Sequence, residues 1–112
     1  MIIYQRQEII LTGVFVLAAN LYVSELLDRY GALLSDKQQR ILDGYYNNDL
    51  SLSEMAENEG ITRQGVSDFV KRSEAQLLEF EEKLGLLKTT SALKEAVAKK
   101  DTNEILNIID KL

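Results

Sequence analysis

A chain of 112 residues is one domain's worth of sequence, long enough to bury roughly two-thirds of its unfolded surface without covalent staples. It contains no cysteine and no histidine, which excludes disulfides, zinc fingers, thiol nucleophiles and imidazole bases together. The net charge of −5 argues against a broad basic footprint, and the absence of proline beside abundant Leu, Ala, Glu and Lys predicts an all-α fold.

The first twenty residues stand apart. Residues 9–19 are apolar except for Thr12 and Gly13, yet eleven residues are too few to span a bilayer, so no membrane insertion is expected. A secretory leader, with Arg6 before the apolar run and Ala18 or Ala19 near a cleavage point, is one reading. An additional packed helix or strand is another.

From there helix signals come in series. Val23, Leu26, Leu27, Tyr30, Leu33 and Leu34 keep the i, i+3, i+4 rhythm of one buried face. Ser35 with Gln38, and Ser51 with Glu54, fit the capping box, in which an N-cap hydroxyl and the N3 side chain satisfy each other's backbone donors. Helices therefore start near 36 and 52. The first of them presents Ile41, Leu42, Tyr45 and Tyr46, and Asn47, Asn48 and Asp49 close it with turn chemistry.

Residues 52–71, LSEMAENEGITRQGVSDFVK, place at each position of a helix-turn-helix the residue type its packing demands. Ala56 is small enough for a close helix crossing, and Gly60 supplies a turn requiring φ > 0. Met55, Ile61, Val66 and Phe69 form the shared apolar core, and Thr62 caps the second helix. Thr62, Arg63, Gln64, Ser67, Lys71 and Arg72 are then the candidate nucleic-acid contacts, since a recognition helix meets base edges and phosphates with its outward face. Residues 36–72 carry five basic against seven acidic side chains, but 62–72 alone has three cations against Asp68. Binding is expected to be modest and salt-sensitive.

The recognition helix continues beyond the motif. Val66, Val70, Ser73, Leu77, Phe80, Leu84 and Leu87 alternate by four and three, with Gly85 as a C-cap that ends the helix near 84 and leaves Leu87 in the connection. The stripe reads as intramolecular packing; the sharper alternative is a homodimer seam through Leu77, Phe80 and Leu84. Glu74, Glu79, Glu81 and Glu82 read as a solvated face. A helical hairpin follows, with Ala92, Leu93, Ala96 and Val97 on one helix and Ile105, Ile108, Ile109 and Leu112 on the other, the latter started by Asp101 and Glu104. Its expected partner surface is the seam over 73–84.

The stretch from about Tyr22 to Lys88 resembles the YlxM family, small bacterial helix-turn-helix proteins related to the promoter-reading last domain of sigma factors. LLSDKQ, the YY pair, DLSLSEMAE and ITRQGVSDFVKR carry the resemblance, in the family's order and nearly its spacing. It implies a cytoplasmic regulatory protein encoded beside the signal-recognition-particle GTPase and its receptor, with that GTPase or its RNA as a candidate partner and DNA as the other. One departure is Gly65, where related sequences more often carry alanine, at a cost of roughly 0.5–1 kcal/mol inside a helix. The resulting division is an extension over 1–20, a helix-turn-helix domain over 21–88 and a hairpin over 89–112 packed on the same domain. Family chains begin near the counterpart of Tyr22, so the extension is also readable as a dispensable upstream translation artefact. No pair of carboxylates, Lys or Tyr stands out as an acid–base couple, and the six glycines are isolated, so neither an enzyme nor a cofactor or metal site is expected.

Overall fold

The computed structural model describes residues 18–112. All three readings of the extension concern residues 1–17 chiefly and lie outside the described residues; 18–20 are helical and run without a break into 21–30, together forming α1 (18–30). At Gly31–Leu33 the chain tightens into one 3-10 turn. That turn rotates Leu33 out of the apolar stripe into solvent, contrary to its place in the sequence rhythm, while Leu34 stays buried.

Both capping boxes form. Ser35 Oγ accepts from the Gln38 amide at 3.1 Å and Gln38 Oε1 accepts from the Ser35 amide at 2.9 Å, starting α2 (Asp36–Tyr46). Ser51 and Glu54 do the same for α3 (Leu52–Glu59). Between them Asp49 takes φ 52°, and Leu50 folds back so that its amide donates to the Gly44 carbonyl at 3.0 Å. A Cβ on Gly44 would lie 3.1 Å from Leu50 Cδ1 and 3.5 Å from the Met55 sulfur, so the absence of a side chain sets how closely α2 approaches this turn.

Gly60 ends α3 at φ 67°, ψ 32°, and the Ile61 amide reaches the Ala56 carbonyl at 3.1 Å. Thr62 Oγ1 then accepts from the Gly65 amide at 2.9 Å and starts α4 (Arg63–Leu84). Gly65 is thus the third residue of the helix, where a glycine costs less than in its interior. Leu26, Tyr30, Ile41, Leu42, Met55 and Val66, from four helices, meet in one buried cluster with Leu77. Buried Ala56 belongs to the same cluster, while Ile61 and Phe69 pack at its edge.

The dimer seam is corrected by this packing. Leu77 is fully buried within the chain, and Phe80 lies against Tyr30 with ring centroids 5.9 Å apart, because α1 occupies the groove a second copy would need. Leu84 alone of the three is exposed. Ser73, the polar interruption, is buried and hydrogen-bonded by the Gln38 amide nitrogen at 3.3 Å.

The acidic run is likewise not one solvated face. Glu74 is half-buried and accepts from the Tyr46 hydroxyl; Glu81 turns into the junction of α1, α4 and the following helix. Gly85, at φ 61°, terminates α4 and immediately precedes α5 (Leu86–Ala98), so Leu87 lies in a helix and is buried, not in a connection. Gly85 has no side chain with which to cap α5, and residues from elsewhere replace it. The Leu86 amide donates to Tyr30 Oη at 2.9 Å, and those of Leu87 and Lys88 donate to the Glu81 carboxylate at 2.9 and 3.1 Å. Tyr30 Oη donates in turn to Glu81 at 2.7 Å.

Asp101 caps α6 (Thr102–Asp110), accepting from the Glu104 amide at 3.1 Å. α6 packs chiefly on α5 and has no buried residue of its own. The hairpin is therefore tied to the rest through Leu87, Glu81 and an Arg29–Thr90 hydrogen bond of 3.3 Å, not along the length of α4. The result is a flat body of 52 × 47 × 21 Å whose radius of gyration, 18.0 Å, exceeds the about 13 Å of a compact domain of 100 residues.

Candidate nucleic-acid interface

On α4 the core side is set by Val66, Val70, Ser73 and Leu77, all buried. A period of 3.6 then puts Gln64, Asp68, Lys71, Arg72 and Ala75 on the opposite side, and all five are exposed. Arg63 and Thr62 stand exposed at the helix start, while Ser67 is half-buried beside Tyr45, Leu52 and Lys71. Five of the six side chains expected from sequence thus sit on the accessible surface, and Ser67 sits at its margin. The Thr62 hydroxyl is occupied as a cap acceptor but keeps its proton to donate.

The surface has an internal order. Gln64 Nε2 donates to Asp68 Oδ1 at 2.9 Å, which fixes the amide and occupies one acceptor of the segment's one acid. Gly65, Asp68, Lys71 and Arg72 line a shallow groove along the helix, and the methyl of Ala75 leaves the backbone open to close approach farther along. Arg63, Lys71 and Arg72 enter none of the ion pairs among the described residues, which join Arg40 to Glu59, Lys83 to Glu79 and Lys99 to Glu95.

Two neighbours were not legible in the sequence. Lys37, in the first turn of α2, holds its ammonium 5.3 Å from the centroid of the Phe69 ring, and the Arg72 guanidinium lies 5.9 Å from the same ring. Gln38 hydrogen-bonds Gln76, so the start of α2 is fastened alongside the recognition helix. Phe69 is therefore half core residue and half platform for two cations. Nothing in local periodicity could bring Lys37 and Arg72 together, since they are thirty-five positions apart on different helices.

The motif's geometry is held by Arg40 and Glu59, which pair through two parallel contacts of 2.7 and 2.9 Å between α2 and the last turn of α3. The guanidinium hydrogen bond holds the Glu59 carboxyl below its ordinary range and raises Arg40 in return. Arg40 is consequently committed to the fold. The described residues contain no cluster of acids suited to a metal ion, and no helix long and apolar enough to cross a membrane.

Comparison with known proteins agrees with this architecture. The model of the UPF0122 family, described as "Putative helix-turn-helix protein, YlxM / p13 like", matches residues 17–111. A UPF0122 protein of Thermoanaerobacter sp. (strain X514) is 47% identical over 92 residues, covering 82% of this chain and 68% of the relative. One from Clostridium kluyveri is 42% identical over 90 residues, covering 80% and 77%. Another from Halalkalibacterium halodurans is 44% identical over 93 residues, covering 77% and 85%.

Proposed function

The chain belongs to the UPF0122 family of YlxM/p13-like helix-turn-helix proteins, and on that premise we propose that it binds duplex nucleic acid through the outward face of α4. The observation that carries the reading is the disposition of cations. Arg63, Lys71 and Arg72 stand exposed, outside the ion pairs found among the described residues, on the surface a recognition helix offers to a groove, whereas Arg40 is consumed by the fold. Gln64 and Arg63, at the helix start, are the side chains placed to reach base edges; Lys71, Arg72 and Lys37 are placed for phosphates. The role is that of a DNA-binding regulator acting in the cytoplasm.

The test is duplex binding by the wild type and by the Arg63→Ala/Lys71→Ala variant. Both residues are exposed, so the melting temperature should hold while affinity falls, and each lost phosphate contact should flatten the salt dependence by about 0.9 in log–log slope. Absence of duplex binding by the wild type at low salt refutes the reading.

A second reading has its own support in the charge around that face. Residues 18–85 carry seven basic against thirteen acidic side chains, and this excess opposes long-range attraction to a duplex. On this second reading we infer that the same face, above all Arg63 and Arg72, meets the signal-recognition-particle GTPase or its RNA, the partners that the resemblance to the YlxM family implies, making the protein a regulator of protein targeting. On this reading, adding the protein to the reconstituted particle and receptor changes GTP hydrolysis. An unchanged rate, with no heat of binding to the particle, removes it.

A further inference from the structure

Helix α6 is the most strongly amphipathic of the helices from α2 onward, yet it buries none of its residues. Ile105, Ile108, Ile109 and Leu112 form one arc, and Leu106 adjoins it. The crevice along one side of the α5–α6 hairpin is polar, lined by Glu95, Lys99, Asp101 and Glu104 beside Ala92 and Ala96. Helical periodicity places Leu93 and Val97 of α5, with Leu106 and Ile109 of α6, on the other side. That side is an apolar face with no partner among the described residues.

Its extent fits one kind of occupant. Leu86, Val97, Leu106, Ile109 and Leu112 are between 43% and 79% exposed. A large aliphatic side chain so placed shows on the order of 100 Å² of apolar surface, giving roughly 500 Å² for the hairpin. A stable protein–protein interface takes about 800 Å² from each partner, of which about three-fifths is apolar, again roughly 500 Å². Charge selects the same face for self-association. The hairpin, residues 86–112, has five lysines against four acids, whereas residues 18–85 have seven basic against thirteen acidic groups. Two copies meeting through the acidic parts of the body would repel, as would two cationic faces of α4; two hairpins are nearly neutral to each other.

We propose that two copies of this chain pair hairpin to hairpin, the apolar sides of α5 and α6 from each closing a four-helix bundle. Such bundles bury just this kind of stripe, and the hairpin is joined to the helix-turn-helix body through the start of α5, by Leu87, Glu81 and Thr90, none of which lies among the residues of this face. The pairing is independent of what α4 binds. It also differs from a seam through Leu77 and Phe80, which the chain's own core already uses.

The experiment is light scattering coupled to size exclusion across the micromolar range, on the full chain. The wild type should show twice the chain mass of 12.7 kDa. The variant Leu106→Glu/Ile109→Glu should fall to the single-chain mass with its helical circular dichroism retained, because neither residue is buried in the monomer. Leu78→Glu, an exposed apolar position on α4 away from the hairpin, should leave the doubled mass unchanged. As a second readout, Leu106→Cys supplies the chain's sole thiol, and a spin label there should show dipolar coupling that vanishes on mixing with excess unlabelled protein. A wild type at single-chain mass throughout the range overturns the proposal. So does a doubled mass that survives the Leu106→Glu/Ile109→Glu change.

Discussion

Replacing Glu81 with alanine should unfold the elbow between α4 and α5 well before the rest of the chain. The carboxylate accepts from the Tyr30 hydroxyl at 2.7 Å and from the Leu87 and Lys88 amides at 2.9 and 3.1 Å, and Gly85 offers no substitute cap. Hydrogen bonds to a charged acceptor are worth about 1.5–3 kcal/mol each when desolvated, but the Lys88 amide lies near water and recovers most of its share. The Tyr30 hydroxyl is buried and recovers little. The net loss should be about 2–4 kcal/mol, a large part of a domain's stability, and should lower the melting temperature by roughly 10–20 °C. Glu81→Gln keeps a neutral acceptor and should lose about half as much.

The same contact sets a pH dependence. Burial opposes ionisation of Glu81, but the hydrogen bonds from Tyr30, Leu87 and Lys88, with Arg29 nearby, outweigh it and hold the carboxyl below its ordinary range. A depressed folded pKa means that the contribution is fully present above the unfolded carboxylate value and is lost as the pH falls through the folded one. Urea titrations at neutral and acid pH measure this, and hydrogen exchange at the Leu86, Leu87 and Lys88 amides localises it. An alanine variant within about 1 kcal/mol of the wild type at neutral pH, or with unchanged protection at those amides, would refute the capping argument.

Three further outcomes can be checked by the same methods. Leu77→Ala should cost about 2–5 kcal/mol without altering the oligomeric mass, because that side chain is core within one chain. Glu74→Gln should raise the melting temperature at neutral pH: burial pushes the Glu74 carboxyl up, so its ionised form opposes folding above the folded pKa, and the advantage of the amide should vanish as the pH falls through it. Gly44→Val should destabilise by about 1–3 kcal/mol, since even a Cβ there meets Leu50 at 3.1 Å and a branched side chain must displace the turn, whereas a neutral result would show that the turn yields freely.

How far the sequence reached follows the range of its signals. The starts of α2, α3 and α4 were legible to the residue, because capping by Ser35, Ser51 and Thr62 is local chemistry spelled within three positions. Gly60 and Gly85 were legible for the same reason, each taking the left-handed backbone that glycine tolerates. Leu33 and Leu87 were misplaced where the helical phase shifts, at a 3-10 turn in one case and at a single-residue junction in the other. Glu81 and Glu74 read as solvated because acids on a helix usually are; their partners, Tyr30 and Tyr46, lie about 50 and 30 positions away. The approach of Lys37 to Phe69 and Arg72 was invisible for that reason too, being a product of how α2 crosses α4.

The length of α4 carries a mechanical consequence. Its 22 residues form one uninterrupted rod of about 33 Å, with Arg63 at one end and the Glu81 elbow at the other. A rod of that length works as a lever. Tilting it by about 5° about the elbow sweeps its far end through about 3 Å, enough to carry a side chain out of hydrogen-bonding reach of a base edge. The alignment of the groove-facing end is therefore set by Val66 and Val70 in the core and by the Arg40–Glu59 pair beneath the motif, and the contacts around Tyr30 and Glu81, about five helical turns away, fasten the other end of the same rod.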